Sequence, residues 1–122
     1  MDKQQEKIAE IAEEIMKQKK VIAVYLFGSF ARGATHEQSD IDLCIIGERG
    51  KQMPIFEKEG YDIISFWDLP LPIRFRVLRE GKLLAVKNAE YIRKVKLETL
   101  RDYLDIKPLI NRYLWERFAC TI

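Results

Sequence analysis

The fold is decided by residues 21–46, VIAVYLFGSFARGATHEQSDIDLCII. An apolar, β-branched run at 21–27 and a second strand-like run at 40–46, in which Asp40 and Asp42 alternate with apolar residues, flank a segment that opens with Gly28 and Ser29. The first run is too short for a helix and nearly all apolar, which predicts a strand buried on both faces. The glycine and a second glycine further on predict a turn with one helical turn inside it. This stretch therefore predicts two strands joined through a turn.

Hydrophobic periodicity on either side of this stretch predicts further helices and strands. An apolar stripe at helical spacing predicts an amphipathic first helix over 3–19. The later elements are a strand at 61–67, a helix at 68–81, a short edge strand at 82–86 and a long final helix to 119. This order predicts an α+β fold with a small mixed β-sheet packed against helices.

Local signals predict where the later helices begin and end. Asp68 is a plausible N-cap and Gly81 a C-cap of the second helix, while Asn88 could cap the final helix. Pro108 predicts a break or kink. The final helix is expected to bury one apolar stripe, formed by Tyr91, Val95, Leu97, Leu100 and Leu104.

Size and charge limit the classes of function. The 122 residues suit a single domain, 1–122, and a net charge of +2 is too balanced for nucleic acid to be the main partner. No apolar run approaches the roughly 18 residues of a membrane span, and the N-terminus does not have the pattern of a secretory signal. Cys44 and Cys120 have no metal-ligand spacing, and reduced thiols in a cytoplasmic protein are the expectation, although a disulfide stays open.

Asp40 and Asp42 carry the first chemical signal. They alternate with Ile41 and Leu43, so the two carboxylates share one face of the predicted strand, about 6.6 Å apart along it. Two neighbouring acids repel each other unless a cation offsets their charge. Hard oxygen ligands with open positions suit Mg²⁺, which also takes substrate phosphates. The alternative is a solvated strand face.

Gly28 and Ser29 make the cation hypothesis stronger. A glycine directly after a buried strand lets the backbone approach a ligand closely, and the serine adds a hydroxyl donor. Backbone N–H groups at such a turn form an anion site. An anion site for phosphates beside paired acids indicates phosphoryl or nucleotidyl transfer.

The combination of Gly28-Ser29 with Asp40-x-Asp42 resembles the DNA polymerase β-like nucleotidyltransferase superfamily. The form GSFARG with SDIDL is similar to its minimal nucleotidyltransferases, the MNT proteins. The resemblance implies an antitoxin of a toxin–antitoxin pair whose partner is a HEPN-domain ribonuclease toxin. It further implies AMP transfer from ATP to a tyrosine of that toxin, with two Mg²⁺ ions and with a homo- or hetero-oligomer possible.

The same resemblance assigns roles to individual residues. Asp40 and Asp42 would bridge the two ions, and Gly28 and Ser29 would hold the β and γ phosphates of ATP. The family also needs a third carboxylate on a neighbouring strand. Asp62 fits that position, as catalytic residue and metal ligand, and is favoured over the rival Asp68, which precedes Leu-Pro.

Several basic residues have open assignments. Arg32, in the turn, orients the triphosphate or pairs with an acid of the core. His36 touches a phosphate or lies in solvent. Among Arg74, Arg76 and Arg79, either one faces the nucleotide or all three lie on a solvated helix face.

Three other functions stay open at this point. A small-molecule nucleotidyltransferase of the antibiotic-modifying kind would need room for its acceptor, and 122 residues leave little. A non-enzymatic antitoxin would neutralise its partner by binding alone, although the full set of motif residues argues against a degenerate site. The third alternative is a nucleotide-binding regulatory domain.

Overall fold

A four-stranded mixed sheet organises the molecule. The computed structural model describes residues 3–28 and 40–118, with side chains described up to residue 112. In chain order the elements are α1 (Lys3–Met16), β1 (Val21–Phe27), β2 (Ile41–Gly47), β3 (Tyr61–Ser65), a 3₁₀ turn (Phe66–Asp68), α2 (Leu71–Glu80), β4 (Lys82–Val86) and α3 (Ala89–Phe118).

The strand order is β3-β2-β1-β4. The central strand β1 runs antiparallel to both β2 and β4, while β2 and β3 are parallel. Consequently the end of β1 and the starts of β2 and β3 meet at one end of the sheet. The α+β fold with a mixed sheet, predicted from the sequence, is confirmed.

The central strands β1 and β2 are buried on both faces, as the apolar content of β1 predicts. Helix α1 covers one face with Ile8, Ile11, Ala12 and Ile15, which pack on the odd-numbered apolar residues of β2. Helices α2 and α3 cover the other face, where Tyr25 of β1 and Phe66 are fully buried. Cys44 is a free thiol, fully buried on this second face. No helix among the described residues is both long and apolar enough to cross a membrane.

Three predicted element ends were wrong. Helix α1 ends at Met16 because the amides of Lys17 and Gln18 bond three residues back, which tightens the last turn before β1. Strand β3 ends at Ser65, and the next three residues form a 3₁₀ turn. Helix α2 begins at Leu71 with Pro70 as its N-cap, so the prediction of Asp68 as the helix cap was wrong. Proline suits the start of a helix because its missing N–H needs no partner there, which explains why α2 starts later than predicted.

The C-cap at Gly81 and the cap at Asn88 were predicted correctly. The amide of Gly81 bonds to the Val77 carbonyl, and the amide of Tyr91 donates to Asn88 Oδ1 at 3.0 Å. The helix α3 continues through Pro108, which therefore does not break it.

The predicted buried stripe of α3 was largely wrong. Leu97, Leu100 and Leu104 are exposed, at 63%, 41% and 53% of their surface. The stripe that packs on the sheet and on α2 is instead Ile92, Val95, Thr99 and Tyr103. Both sets have helical spacing, so periodicity alone could not decide which one faces the core. Tyr103 settles the register by stacking on Phe75 of α2, with ring centroids 4.0 Å apart.

Candidate active site

Two carboxylates lie side by side where β2 and β3 begin. Asp42 and Asp62 are directly paired in the parallel ladder, and neighbouring strands lie about 4.8 Å apart. Asp40 immediately precedes β2 and is exposed, as is Asp62, whereas Asp42 is partly buried. The topology therefore brings the three predicted acids to one end of the sheet.

Gly28 adds a backbone wall to this group. It follows β1, whose last residue, Phe27, is paired with Asp42 in the antiparallel ladder. Its φ is +79°, in the left-handed region that favours glycine, and a Cβ at this position would collide with Oδ2 of Asp42. Only glycine therefore allows the chain to leave β1 in this direction while the Asp42 carboxylate keeps its place.

The electrostatics of the site follow from this crowding. Partial burial raises the pKa of the Asp42 carboxyl, and repulsion from Asp62 and then from Asp40 raises that pKa further. A raised carboxyl pKa means that the negative charge is disfavoured in the folded chain. A cation bound among the three acids would remove that penalty.

The donor set fits a hard divalent cation such as Mg²⁺, because all three groups offer carboxylate oxygens. Within residues 3–28 and 40–118, however, no three His, Cys, Asp or Glu side chains already stand close enough together to hold a metal ion. The exposed side chains of Asp40 and Asp62 would have to turn toward Asp42 to complete a coordination shell.

A cleft of about 290 Å³ opens beside Gly28. Its wall is one face of α2, and the lining residues are Phe27, Gly28, Ile73, Arg76, Val77 and Glu80. Its apolar floor and its two charged groups at the rim are typical of a small-molecule site. The sequence did not predict four of these lining residues, which are Phe27, Ile73, Val77 and Glu80. Helical spacing from Ile73 to Glu80 was the available signal for the shared face.

Of the three arginines of α2, Arg76 lines this cleft. The Nε of Arg76 lies 3.8 Å from a carboxylate oxygen of Glu80. Arg79 is exposed, and Arg74 lies against the aromatic rings of Phe66 and Trp67 instead. Among these three arginines, Arg76 is therefore the candidate for contact with a nucleotide.

The remaining predicted site residues have different placements. Ser29, Arg32 and His36 lie outside the described residues. Asp68, the rival third acid, is exposed in the 3₁₀ turn that follows the far end of β3. It is therefore separated from Asp42 by the length of that strand, whereas Asp62 is the direct partner of Asp42.

A mixed sheet that presents paired acids in register, beside a left-handed glycine and a cleft, defines a class of nucleotide-transferring domains. The family model described as "Nucleotidyltransferase domain" matches residues 7–108. The chain therefore belongs to the nucleotidyltransferase domain family.

One relative is similar over part of its length. The Methanocaldococcus jannaschii protein MJ1547, provisionally named a protein adenylyltransferase, is 37% identical over 68 residues. The match covers 53% of the present chain and 56% of the relative, so this chain spans little more than half of that protein.

Solved structures share the fold more completely. A chain in a crystal structure of a toxin–antitoxin with AMP-PNP matches with a TM-score of 0.74 at 16% identity, over 88% of this chain and 96% of that one. A chain in the structure of the tri-AMPylated Shewanella oneidensis HEPN toxin with its MNT antitoxin matches with a TM-score of 0.62 at 14% identity, over 91% and 92%. At these identities the likeness establishes the fold, which is the nucleotidyltransferase fold expected from the motif.

Proposed function

We propose that this protein transfers AMP from ATP to a tyrosine hydroxyl of a HEPN-domain toxin and thereby acts as its antitoxin. The observation that carries the proposal is the direct pairing of Asp42 with Asp62 across β2 and β3, beside a glycine at which any side chain would collide with the Asp42 carboxylate. This arrangement occurs in a chain of the nucleotidyltransferase domain family, which supports the reaction class.

In the proposed reaction the tyrosine oxygen attacks the α-phosphorus of ATP. A new P–O bond forms, the bond to the β-phosphate oxygen breaks, and pyrophosphate leaves. Asp62 is exposed at the open end of the sheet, where an incoming hydroxyl can reach it, and it accepts the hydroxyl proton. The backbone after β1, with Gly28 and Ser29, holds the β and γ phosphates, and Arg32 orients the triphosphate. Positioning supplies most of the rate.

Asp40, Asp42 and Asp62 would hold two Mg²⁺ ions. When bound, the ions would neutralise charge that develops on the phosphates and on the attacking oxygen. Burial raises the pKa of the Asp42 carboxyl most, and repulsion from Asp62 and Asp40 raises it further. A divalent cation would offset that repulsion, which supports this assignment.

The cleft beside Gly28 supports binding of the rest of the nucleotide. Its floor of Phe27, Ile73 and Val77 suits a base or ribose, and Arg76 at its rim suits a phosphate. ATP as the nucleotide is supported by the AMP-PNP that accompanies a toxin–antitoxin of the same fold.

The identity of the acceptor is supported by structural likeness. The matched antitoxin structures include one with a tri-AMPylated HEPN toxin. The proposal treats residues 1–122 as one minimal domain that acts in the cytoplasm, where ATP and Mg²⁺ are available. Because Asp40 and Asp62 are exposed at one end of the sheet, a second protein can present its hydroxyl there.

The direct test is incubation of this protein with Mg-ATP and a folded HEPN partner, followed by intact-mass measurement. We expect the partner to gain mass in steps of one AMP, with a tyrosine as the modified residue. The Asp40→Ala, Asp42→Ala double variant should leave the mass of the partner unchanged and its ribonuclease active.

The same variant separates transfer from simple binding. If it protects cells as well as the wild type does, the partner is neutralised by binding and the antitoxin does not act by transfer. If wild-type protein with Mg-ATP adds no mass to the partner but modifies a small hydroxyl compound, the acceptor class is wrong although the reaction class is right.

A further inference from the structure

Two arginines meet one tryptophan at the end of the sheet opposite the acids. The guanidinium carbon of Arg49 lies 5.3 Å from the centre of the Trp67 ring, and that of Arg74 lies 5.6 Å from the same ring. Arg49 belongs to the loop after β2, Trp67 to the turn after β3, and Arg74 to the first turn of α2. Three separate elements thus converge on what we call the arginine–tryptophan cluster: Arg49, Trp67 and Arg74.

The tryptophan of the cluster is held firmly. Its Nε1 donates a hydrogen bond to the carbonyl of Gly47 at 2.8 Å, and the Phe66 ring packs edge-on against it at 4.9 Å. The backbone of Arg49 is also held, since its amide donates to the hydroxyl of Tyr91 at 3.0 Å. The aromatic platform and the loop that carries one of the cations are therefore already organised.

The positive charge of the cluster is poorly balanced. Within the described residues neither arginine forms an ion pair, and the buried Nε of Arg74 has no hydrogen-bond acceptor. Burial lowers the pKa of Arg74, and repulsion from Arg49 lowers it further, while Asp102 of α3 offsets only part of this. Buried donors without acceptors are rare in folded proteins and cost free energy.

The start of α2 adds to the positive field. Pro70 supplies no side-chain cap, and the first turn of this ten-residue helix contains no acid. Its partial positive charge is therefore also unmatched at the end of the helix where Arg74 lies.

We propose that the arginine–tryptophan cluster is a second anion site, which binds a phosphate group of a small molecule. A phosphate dianion matches two guanidinium charges, whereas a carboxylate matches only one. Arginine geometry suits phosphate oxygens, and an acceptor oxygen would satisfy the orphan Nε of Arg74.

This site is separate from the acids. Asp42 and Gly47 are five residues apart on β2, which corresponds to about 16 Å along a strand. Because its residues do not overlap with the candidate active site, the inference does not rest on the proposed transfer reaction. The phosphate could be inorganic phosphate, pyrophosphate or the terminal phosphate of a nucleotide.

Tryptophan fluorescence gives a direct test. Trp67 and Trp115 are the two tryptophans of the chain, so Trp115→Phe leaves Trp67 as the single reporter. This variant is titrated with inorganic phosphate, pyrophosphate and ATP in EDTA, at pH 8 and constant ionic strength. We expect a saturable change in Trp67 emission for at least one of the three, and the strongest of them identifies the source of the phosphate.

Matched variants in the Trp115→Phe background assign the response. Arg74→Met keeps most of the side-chain volume and should weaken binding at least tenfold, as should Arg49→Ala in an exposed loop. Arg79→Met, an exposed arginine of the same helix, should bind like the parent. Circular dichroism checks that each variant is folded.

Three results would overturn the inference. These are the absence of a saturable change with any of the three phosphates, equal affinity for acetate, and affinities that are unchanged in both Arg49→Ala and Arg74→Met. Arg49 is exposed, and its hydrogen bond to Tyr91 is made by the backbone amide, which alanine keeps. Its substitution therefore tests the site even if Arg74→Met does not fold.

Discussion

The two ends of the sheet carry opposite charge. At one end β1 stops and β2 and β3 start, and there Asp40, Asp42 and Asp62 come together and repel one another. At the other end Arg49 and Arg74 share one tryptophan ring with no acid paired to either among the described residues. Between the two ends, the central strands β1 and β2 are buried on both faces.

This difference shows where the fold tolerates unfavourable charge. A buried centre leaves charged groups only at strand ends and in loops, and each end has collected groups that repel one another. Such repulsion costs stability unless a ligand of opposite charge binds. For this reason we proposed a cation with phosphates as the ligand of the acid end and an anion as the ligand of the arginine end. Substitutions at one end should therefore leave the function of the other end unchanged.

The largest effect is expected from Asp62→Asn, which keeps size and removes charge. We expect AMP transfer to fall by about three or more orders of magnitude, because the variant loses the proposed proton acceptor and metal ligand. ATP binding should survive in part, since Asp40 and Asp42 remain. The measurement is the initial rate of mass gain of the HEPN partner, alongside ATP affinity.

Asp68→Asn is the matched control for that change. Asp68 is exposed in the 3₁₀ turn at the other end of β3 and does not cap α2. Its substitution should change the transfer rate by less than about twofold and stability by less than about 0.5 kcal/mol. A large loss with Asp68→Asn and none with Asp62→Asn would mean that the third acid has been wrongly assigned.

The next largest effect concerns the backbone wall at Gly28. Gly28→Ala and Gly50→Ala both put a side chain at a positive φ, +79° and +85°, so each should cost about 1–2 kcal/mol of stability. An alanine at Gly28 also pushes against Oδ2 of Asp42, whereas Gly50 has open space. A displaced carboxylate should lower transfer about a hundredfold at position 28 alone.

Thermal unfolding and transfer rates measured on both glycine variants separate strain from displacement. Equal transfer rates in the two variants would show that the Asp42 carboxylate needs no support from the Gly28 backbone. A stability loss at Gly50 near zero would show that the loop absorbs the strain, which would leave only the activity comparison informative about the site.

The acid end of this comparison was largely predictable from sequence. Strand alternation grouped Asp40 with Asp42, and the glycine after β1 pointed to close backbone approach. What local patterns could not supply was the pairing of Asp42 with Asp62, because register between strands that are distant in the chain depends on tertiary packing. The assignment of Asp62 as the third acid came from a family resemblance. The strand topology shows that its neighbour across the ladder is Asp42.

The arginine end could not be predicted in the same way. Arg49, Trp67 and Arg74 are spread over 26 positions and have no common motif, and they meet only because β2, β3 and α2 bring three turns together. The prediction that the leucines of α3 are buried was wrong for a related reason. Two apolar stripes with the same period fit one helix, and the stacking of Tyr103 on Phe75 selects between them.

A smaller effect is expected from Trp67→Phe at the arginine end. Phenylalanine keeps an aromatic ring but cannot donate the hydrogen bond from Nε1 to the Gly47 carbonyl. The loss should cost about 1 kcal/mol, or about 4 °C in melting temperature, while transfer stays within about twofold. A drop in transfer beyond tenfold, with the fold intact, would mean that the two ends of the sheet are coupled.

The smallest effect has the opposite sign and belongs to the acid end. Burial and repulsion raise the folded-state pKa of the Asp42 carboxyl above its ordinary value of 3.8, so its charge destabilises the fold at any pH above that raised value. Stability then falls as pH rises between the ordinary and the raised pKa, because the folded chain binds the proton more tightly than the unfolded chain. In EDTA at pH 7, Asp42→Asn should therefore be more stable than the wild type, by less than about 1 kcal/mol since solvent screens a partly exposed group. The advantage should vanish below about pH 3.8, where the carboxyl is protonated in both states.

Millimolar Mg-ATP should raise the melting temperature of the wild type and should raise that of Asp42→Asn much less, because the cation would replace the repulsion with attraction. A variant that is less stable than the wild type in EDTA at neutral pH would show that Asp42 serves the fold, and equal melting of the wild type in EDTA and in Mg-ATP would count against a cation among these acids.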